Sequence, residues 1–456
     1  MQNNFKDTIV ALATPPGVGA IGVIRVSGDK TIELVNKIFK GKDLRQVPSH
    51  SITYGTIRNE NAIIDEVLVS VFKGPNSYTK EDVIEISCHG SPYILQKIIE
   101  LILDKGARLA KPGEFTQRAF INGRFDLAQA EAVADLISSE NSAMQQTAMK
   151  QMRGGFSDEI KQLRERLVHF ASMIELELDF AEEDVEFADR GALIKLIEEI
   201  KATLEPLIES FKWGNVIKNG VPVVIAGKPN AGKSTLLNAL LNEQRAIVSD
   251  VEGTTRDSIE DQITIQGITF RFIDTAGLRE TLDKVEAIGV QRTYDKLKEA
   301  SLILFLLDLG KTKIEDFQNE LAPILSSDIP FLVIGNKMDL LTETELTNWQ
   351  KSHPIVPLSA STLEGIDELK NQLVDKVKKD KVSGNQTVVT NSRHYQALTS
   401  TNNALNKVLE AIDDQTTGDF LAMDIREALN HLGEITGEVT TDDLLDNIFS
   451  KFCIGK

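Results

Sequence analysis

The 456 residues leave room for roughly three domains of ordinary size, each able to bury its own core. With 50 Lys plus Arg against 68 Asp plus Glu the net charge is −18, which disfavours passive, non-specific attraction to nucleic acid or anionic lipid, so any such contact needs a local basic patch or a partner. Two cysteines, Cys88 and Cys453, exclude a disulfide framework and fit a reducing compartment; with a polar start over 1–7 and no run of about 20 apolar residues, the chain reads as cytoplasmic with no membrane part.

Residues 8 to 118 read as mixed α/β. Short apolar runs at 21–26, 67–72 and 83–86 predict strands, and helical spacing over 93–103 predicts a helix. Gly and Pro punctuate the gaps at Pro15-Pro16-Gly17, Gly74-Pro75 and Lys111-Pro112-Gly113, so 1–118 forms one small domain. After Leu127 helical patterns take over, through Val133, Leu136 and Ile137, then Leu163, Leu167, Phe170, Ile174 and Leu178. The cleanest stripe is Leu193, Leu196, Ile197, Ile200, Leu204, Leu207, Ile208 and Phe211, with charged residues on its other face. Such stripes are bundle core, and 119–214 is the first part of a helical domain. The acidic run 179–189 reads as a solvated connection.

At Val221 the pattern changes to nearly continuous apolar runs, at 221–226, 269–273, 302–307 and 331–334. Strands apolar on both faces, separated by intervals long enough for helices, predict a mostly parallel sheet covered on both sides. That domain spans 215–377, its sheet ending near Leu358 and its last helix running through Ile366, Leu369 and Leu373. A Lys-rich stretch over 378–385 leads back to helices through Leu405, Val408, Leu409 and Ile412, and through Leu421, Ile425, Leu429 and Leu432, within 378–456. The fold class is multidomain α/β plus all-α, with the sheet domain inserted in a helical domain; two separate helical domains are the alternative.

Gly227-Lys228-Pro229-Asn230-Ala231-Gly232-Lys233-Ser234 fits the P-loop pattern, following a strand and opening a helix at Ser234. Its glycines let backbone N–H groups, including those of Ala231, Gly232 and Thr235, wrap phosphates at a helix N-terminus. Lys233 would bridge the β- and γ-phosphates and Ser234 would ligate Mg²⁺. Asp274-Thr275-Ala276-Gly277 ends a strand, where Asp274 can reach Mg²⁺ through water and Gly277 can sense the γ-phosphate. Thr255, beside Thr254, supplies the hydroxyl that completes the Mg²⁺ shell. Asn336-Lys337-Met338-Asp339 also ends a strand; a carboxylate at Asp339 accepts from N1–H and the 2-amino group of guanine, a donor pair that adenine lacks. Ser359-Ala360 fits a backbone contact to guanine O6. These elements, in this chain order and spacing, read as a Ras-like GTPase domain. Leu278 stands where small regulatory GTPases carry a water-orienting glutamine, so hydrolysis must recruit another group, for which 279–286 offers candidates. A slow nucleotide sensor is the alternative.

With these residues in view, the chain resembles the tRNA-uridine modification GTPase family, known as MnmE or TrmE, over essentially its whole length. The resemblance rests on the P-loop, the segment Ser249-Asp250-Val251-Glu252-Gly253-Thr254-Thr255-Arg256-Asp257, the run 274–280, Asn336 to Asp339, and the terminal Phe452-Cys453-Ile454-Gly455-Lys456. In the N-terminal domain it rests on 7–17, Gly74-Pro75-Asn76-Ser77-Tyr78-Thr79, Glu81-Asp82-Val83-Ile84-Glu85 with His89-Gly90, and 111–120. It implies an N-terminal domain that binds a reduced folate, 5,10-methylene-tetrahydrofolate or a 5-formyl analogue, through Arg25, Glu85, Arg124 and Lys456, and that mediates homodimerisation. Cys453 is implied to lie near that site, considered for chemistry without being settled as a nucleophile. Lys80 departs from the glycine usual in the family before Glu81-Asp82, and Arg124 from a common lysine, which keeps charge but changes donor geometry.

The resemblance also addresses Leu278. It implies G domains that pair in the presence of K⁺, ligated here by Asn230, Ser249, Val251 and Thr254, with Glu286 orienting the attacking water indirectly. It further implies a K⁺-stimulated GTPase acting on tRNA with an FAD-dependent, MnmG-like partner in a heterotetramer or larger complex, adding an aminomethyl or carboxymethylaminomethyl group to C5 of the wobble uridine. The rival reading is a non-modifying, GTP-dependent assembly switch, for instance in ribosome maturation. Assembly switches do not share the terminal pentapeptide or the N-terminal motifs.

Overall fold

Chain order and sheet order differ from the start. β1 (Ile9–Leu12), β2 (Ile21–Ser27), α1 (Thr31–Ile38), β3 (Phe39–Lys40), β4 (Ser51–Asn59), β5 (Ala62–Phe72), β6 (Val83–His89), α2 (Pro92–Asp104) and β7 (Arg108–Leu109) build a sheet ordered β3-β4-β5-β6-β2-β1-β7. This computed structural model describes residues 7–179, 190–242, 261–273, 300–325, 329–378, 387–414, 416 and 418–456. All neighbours in the sheet are antiparallel except β1 and β7. Alternation sorts the faces: Ile24 and Val26 of β2 and Ile84 and Ile86 of β6 point into a core shared with Val35 and Ile98 of the helices. Each such side chain contributes about 1.5–3 kcal/mol by leaving water. The predicted runs 21–26, 67–72 and 83–86 lie in β2, β5 and β6, and the predicted helix 93–103 in α2. The sequence reading did not name β4, because Thr53, Gly55 and Thr56 dilute its apolar signal and its register with β5 shifts at Ile57/Arg58.

Helices follow: α3 (Glu114–Ile121), α4 (Leu127–Ile137), α5 (Ser142–Met152), α6 (Gly155–Asp179) and α7 (Arg190–Asn219). Asp126 starts α4 in a full capping box with Gln129, which explains why the helical pattern begins at Leu127. On α7 the predicted stripe is buried at Leu193, Leu196, Ile197, Ile200, Leu204 and Leu207. The acidic connection 180–189 lies outside the described residues.

The second sheet comprises β8 (Val221–Gly227), α8 (Lys233–Asn242), β9 (Asp261–Ile265), β10 (Ile268–Phe272), β11 (Leu302–Asp308), α9 (Phe317–Leu325), β12 (Phe331–Asn336), α10 (Glu343–Ser352), β13 (Val356–Pro357) and α11 (Ile366–Lys378), in the sheet order β13-β12-β11-β8-β10-β9. Every pairing is parallel except β9 with β10. Successive residues of β8 serve opposite cores, Val223 and Ile225 on one face and Val224 and Ala226 on the other, which is why these strands read as unbroken apolar runs. The five-residue β9, sandwiched in sequence between polar residues, carried too short a signal to be named beforehand.

The chain closes with α12 (Ser392–Asp413), α13 (Gly418–Thr436) and α14 (Asp442–Phe449). Contacts divide the molecule into one unit of Met1–Ser138, Ala148–Leu204 and Gln396–Lys456 and another of Ser139–Thr147 and Glu205–Tyr395. Helical sequence from both sides of the nucleotide-binding segment thus falls in one unit, where Lys201 Nζ donates to Asn406 Oδ1 at 2.7 Å and Arg426 pairs with Glu175 at 2.7 Å.

Candidate nucleotide site and C-terminal cavity

The nucleotide motifs gather at the C-terminal ends of β8, β11 and β12, where an open parallel sheet leaves a crevice for ligands. Three backbone positions in the P-loop have positive φ: Gly227 at 146°, Asn230 at 62° and Gly232 at 98°. At Gly232 a side chain would run into the Asn336 amide, so the loop's path needs glycine there. The helix opens at Lys233, one residue before the predicted start. Lys233 Nζ donates to the carbonyls of Gly227 at 2.8 Å and Lys228 at 3.1 Å, and burial lowers the ammonium's pKa from lysine's ordinary value.

Asn336 is 2% exposed and joins two binding loops: its Nδ2 donates to Ala231 O at 2.8 Å and its Oδ1 accepts from Ala360 N at 3.0 Å. Lys337, at φ 65°, donates to Asn230 O at 3.0 Å and pairs with Asp308 at 2.6 Å. Ser359 is buried and its Oγ accepts from Thr362 N at 3.3 Å, shaping the turn that carries Ala360. Asp339 stays exposed, free to meet a base. The base-side residues Asn336, Lys337, Asp339, Ser359 and Ala360 and the P-loop residues from Asn230 to Thr235 are therefore brought together. Asp308 was missed by sequence reasoning; its signal was a lone acid ending the apolar run 302–307. Ser249, Val251, Thr254, Thr255, Asp274, Thr275, Ala276, Gly277, Leu278 and Glu286 lie outside the described residues.

In the other unit, β2 and β6 set Arg25 opposite Glu85 in antiparallel register. Arg25 pairs with Glu85 at 2.8 Å and donates through Nη1 to Gly455 O at 3.1 Å. The C-terminal pentapeptide is thus seated rather than frayed. Phe452 is buried with Phe449, Leu127 and Leu445, and Gly113 N donates to Cys453 O at 3.4 Å. Gly455 has φ 94° and sits so close to the Leu12 carbonyl that no side chain could replace its hydrogen. Cys453 is exposed. Burial, then the charge of Arg25, holds the Lys456 ammonium below lysine's usual range.

Beside the tail lies a cavity of about 510 Å³ lined by Arg25, Glu85, Arg124, Tyr78, Phe72 and Lys80, among others. Arg25, Glu85 and Arg124 line it as expected of binding residues; Lys456 is near Arg25 but not on this wall. Guanidinium groups flank Tyr78, with Arg25 and Arg124 each 5.2 Å from its ring centre. The wall 74–82 is braced by Arg118, which is fully buried and donates to Glu81 at 3.2 Å, and by Asn122 Nδ2, which donates to Thr79 O at 2.6 Å. Ser27 Oγ donates to Glu81 at 2.7 Å. A cavity with aromatic walls and cationic edges suits a flat heteroaromatic anion. Arg118 was not singled out from sequence because its burial depends on two acids far away in the chain, Asp7 and Glu81, besides Glu114 one helical turn before it.

Comparisons with known proteins agree across both units. Residues 8–124 match the family model described as GTP-binding protein TrmE N-terminus, and residues 127–453 match the MnmE helical domain. The tRNA modification GTPase MnmE of Cytophaga hutchinsonii is 59% identical over 453 residues, covering 99% of this chain and 98% of that protein. Its counterpart in Flavobacterium psychrophilum is 54% identical over 460 residues, covering 99% of this chain and all (100%) of that one. The G-domain of FeoB from Methanococcus jannaschii, a solved structure, is 26% identical over 35% of this chain and 98% of its own, with a TM-score of 0.25. Among the described residues no helix is long and apolar enough to cross a membrane.

Proposed function

The chain belongs to the MnmE family of tRNA modification GTPases, and on that premise we propose that it acts as a K⁺-stimulated homodimer that couples GTP hydrolysis to modification of the tRNA wobble uridine. The family makes it a GTPase that uses GTP and Mg²⁺. In our reading, Lys233 bridges the β- and γ-phosphates, Ser234 and Thr255 hold Mg²⁺ with Asp274 behind a water, and the group Asn336, Lys337, Asp339, Ser359 and Ala360 receives guanine. Asn230, Ser249, Val251 and Thr254 hold K⁺, which when bound offsets the charge that develops in phosphoryl transfer in place of an arginine finger. Glu286 takes the water-orienting duty that Leu278 cannot perform. The homodimer reading is supported by the outer face of the first sheet, which leaves Ile21, Ile52, Tyr54 and Leu68 exposed.

The modification reading assigns the cavity to a reduced folate, which supplies the one-carbon unit when bound. Arg25, Glu85 and Arg124 contact it, and Lys456 and Cys453 approach from the tail. An FAD-dependent, MnmG-like partner joins in a heterotetramer or larger complex, and the product carries an aminomethyl or carboxymethylaminomethyl group at C5 of the uridine. The net charge of −18 fits a division of labour in which that partner supplies much of the tRNA-binding surface.

One observation carries this reading: Arg25 bonds both Glu85 on the cavity wall and the carbonyl of Gly455 in the terminal pentapeptide. A GTP switch without folate chemistry has no use for a C-terminus held at such a cavity. The deciding experiment is mass spectrometry of tRNA nucleosides from cells lacking the protein. Loss of the C5-substituted wobble uridine is expected, and an unchanged nucleoside profile refutes the reading.

A further inference from the structure

One residue on the cavity wall is in a conformation that its own side chain disfavours. Lys80 has φ 61°, the left-handed region, where a Cβ is crowded by the backbone and glycine meets no such clash. Its stem is exposed, and its ammonium donates to Gly123 O at 2.9 Å. Next to Gly123 stands Arg124, also exposed, whose guanidinium donates to Ser77 O and lies 5.1 Å from the centre of the Phe125 ring. Among the described residues neither cation is ion-paired, whereas Arg25, deeper in the same cavity, is neutralised by Glu85. The cavity is therefore aromatic and charge-balanced around Arg25 and Tyr78 but carries two uncompensated positive charges at its exposed edge.

Resting on the reduced-folate reading above, we propose that Lys80 is a specificity-determining residue which, with Arg124, receives the carboxylates of the folate's glutamate portion and favours folates with an extended γ-glutamyl chain. A pteridine and its aminobenzoyl ring match the aromatic interior. The glutamate portion is anionic and must reach solvent, and each added γ-glutamyl residue brings one more negative charge to the edge where Lys80 and Arg124 stand. One of the three ammonium donors of Lys80 is taken by Gly123 O, leaving two for carboxylate oxygens. A partly exposed pair of this kind changes affinity by about fivefold.

The test is calorimetric titration of the full-length protein and its Lys80→Gly variant with three probes: 5-formyltetrahydropteroate, which has no glutamate, 5-formyltetrahydrofolate, and its triglutamate. Glycine relieves the left-handed strain, so the variant folds, which an unchanged or raised melting temperature verifies. The wild type is expected to bind the triglutamate most tightly. Lys80→Gly should weaken triglutamate binding about fivefold, leave the pteroate probe unchanged, and reduce the salt dependence of triglutamate binding. Lys80→Arg should restore the preference. Equal loss for all three probes, or none for any, overturns the role of Lys80 while leaving the folate reading intact. Failure of the wild type to bind any probe overturns both.

Discussion

Asn336→Ala separates the architecture of the nucleotide site from its chemistry. The Asn336 side chain is buried and makes two bonds, from Nδ2 to Ala231 O in the P-loop and from Ala360 N to Oδ1. Ala231 and Ala360 are themselves 2% and 4% exposed, so water cannot readily replace the lost partner. At about 1.5 kcal/mol for each orphaned group the substitution costs about 3 kcal/mol, or roughly 150-fold in an equilibrium constant. The assay is unusually selective. Trp213 and Trp349 are the molecule's only tryptophans, they are 9% and 3% exposed, and both belong to the unit that holds the site. Urea unfolding followed by tryptophan fluorescence therefore reports on that unit. With a slope of about 2 kcal/mol per molar urea, the midpoint should fall by about 1.5 M. GDP affinity should fall as well, because the P-loop and the guanine loop lose their common tie. Asn336→Asp keeps an acceptor for Ala360 N but sets a carboxylate oxygen against Ala231 O, so it should be at least as damaging. A midpoint shift below about 0.3 M with unchanged GDP affinity refutes the reasoning.

Asp339→Asn should leave that urea midpoint unchanged, weaken GTP binding and favour xanthine nucleotides; a retained preference for GTP in competition rejects its role as the guanine acceptor. GTP turnover in K⁺ should exceed that in Na⁺ at equal ionic strength by about tenfold or more, and equal rates remove the K⁺ mechanism. With an aromatic disulfide reagent the folded protein should show one fast thiol, the exposed Cys453. Cys88, whose thiol is pushed up to about 11 by burial and then by Asp65, should react only on unfolding, and two fast thiols contradict the structure. Asp7 and Glu114 lie below their ordinary pKa values: burial opposes their ionisation, but hydrogen bonds and charges from Arg108 and Arg118 outweigh it. The folded chain then binds these protons more weakly than the unfolded one, so the pairs stabilise above the carboxylates' ordinary range and that contribution is lost as pH falls. Thermal melts from about pH 6 down to about pH 3 should show this, with a shallower decline in Glu114→Gln.

Much of the nucleotide site was legible because its chemistry is local. A P-loop is one octapeptide between a strand and a helix, and the guanine motif is four residues at a strand end. Apolar runs along 221–226 and 302–307 announced strands buried on both faces because, Pro222 apart, their residues serve one or the other of two cores. The weakly marked elements were those whose identity comes from neighbours, such as β4, held by its pairing with β5, and β9, held by β10. The order of the first sheet was not legible, since antiparallel pairing can join strands far apart in sequence.

The sequence by itself determined that this protein binds a guanine nucleotide, that its G domain lacks the usual glutamine, and, through its resemblance, which family it belongs to. Those conclusions rest on short motifs whose geometry is set by adjacent residues. The resemblance already implied that Cys453 and Lys456 lie near the N-terminal site; only the tertiary structure decided how the pentapeptide is seated there, through a bond between residues 430 positions apart and with Lys456 off the cavity wall, and that Lys80 occupies a glycine-like conformation at the edge of that cavity. Periodicity cannot report such proximity, because it is created by strand register and helix packing, which bring distant segments together only when the whole unit has folded.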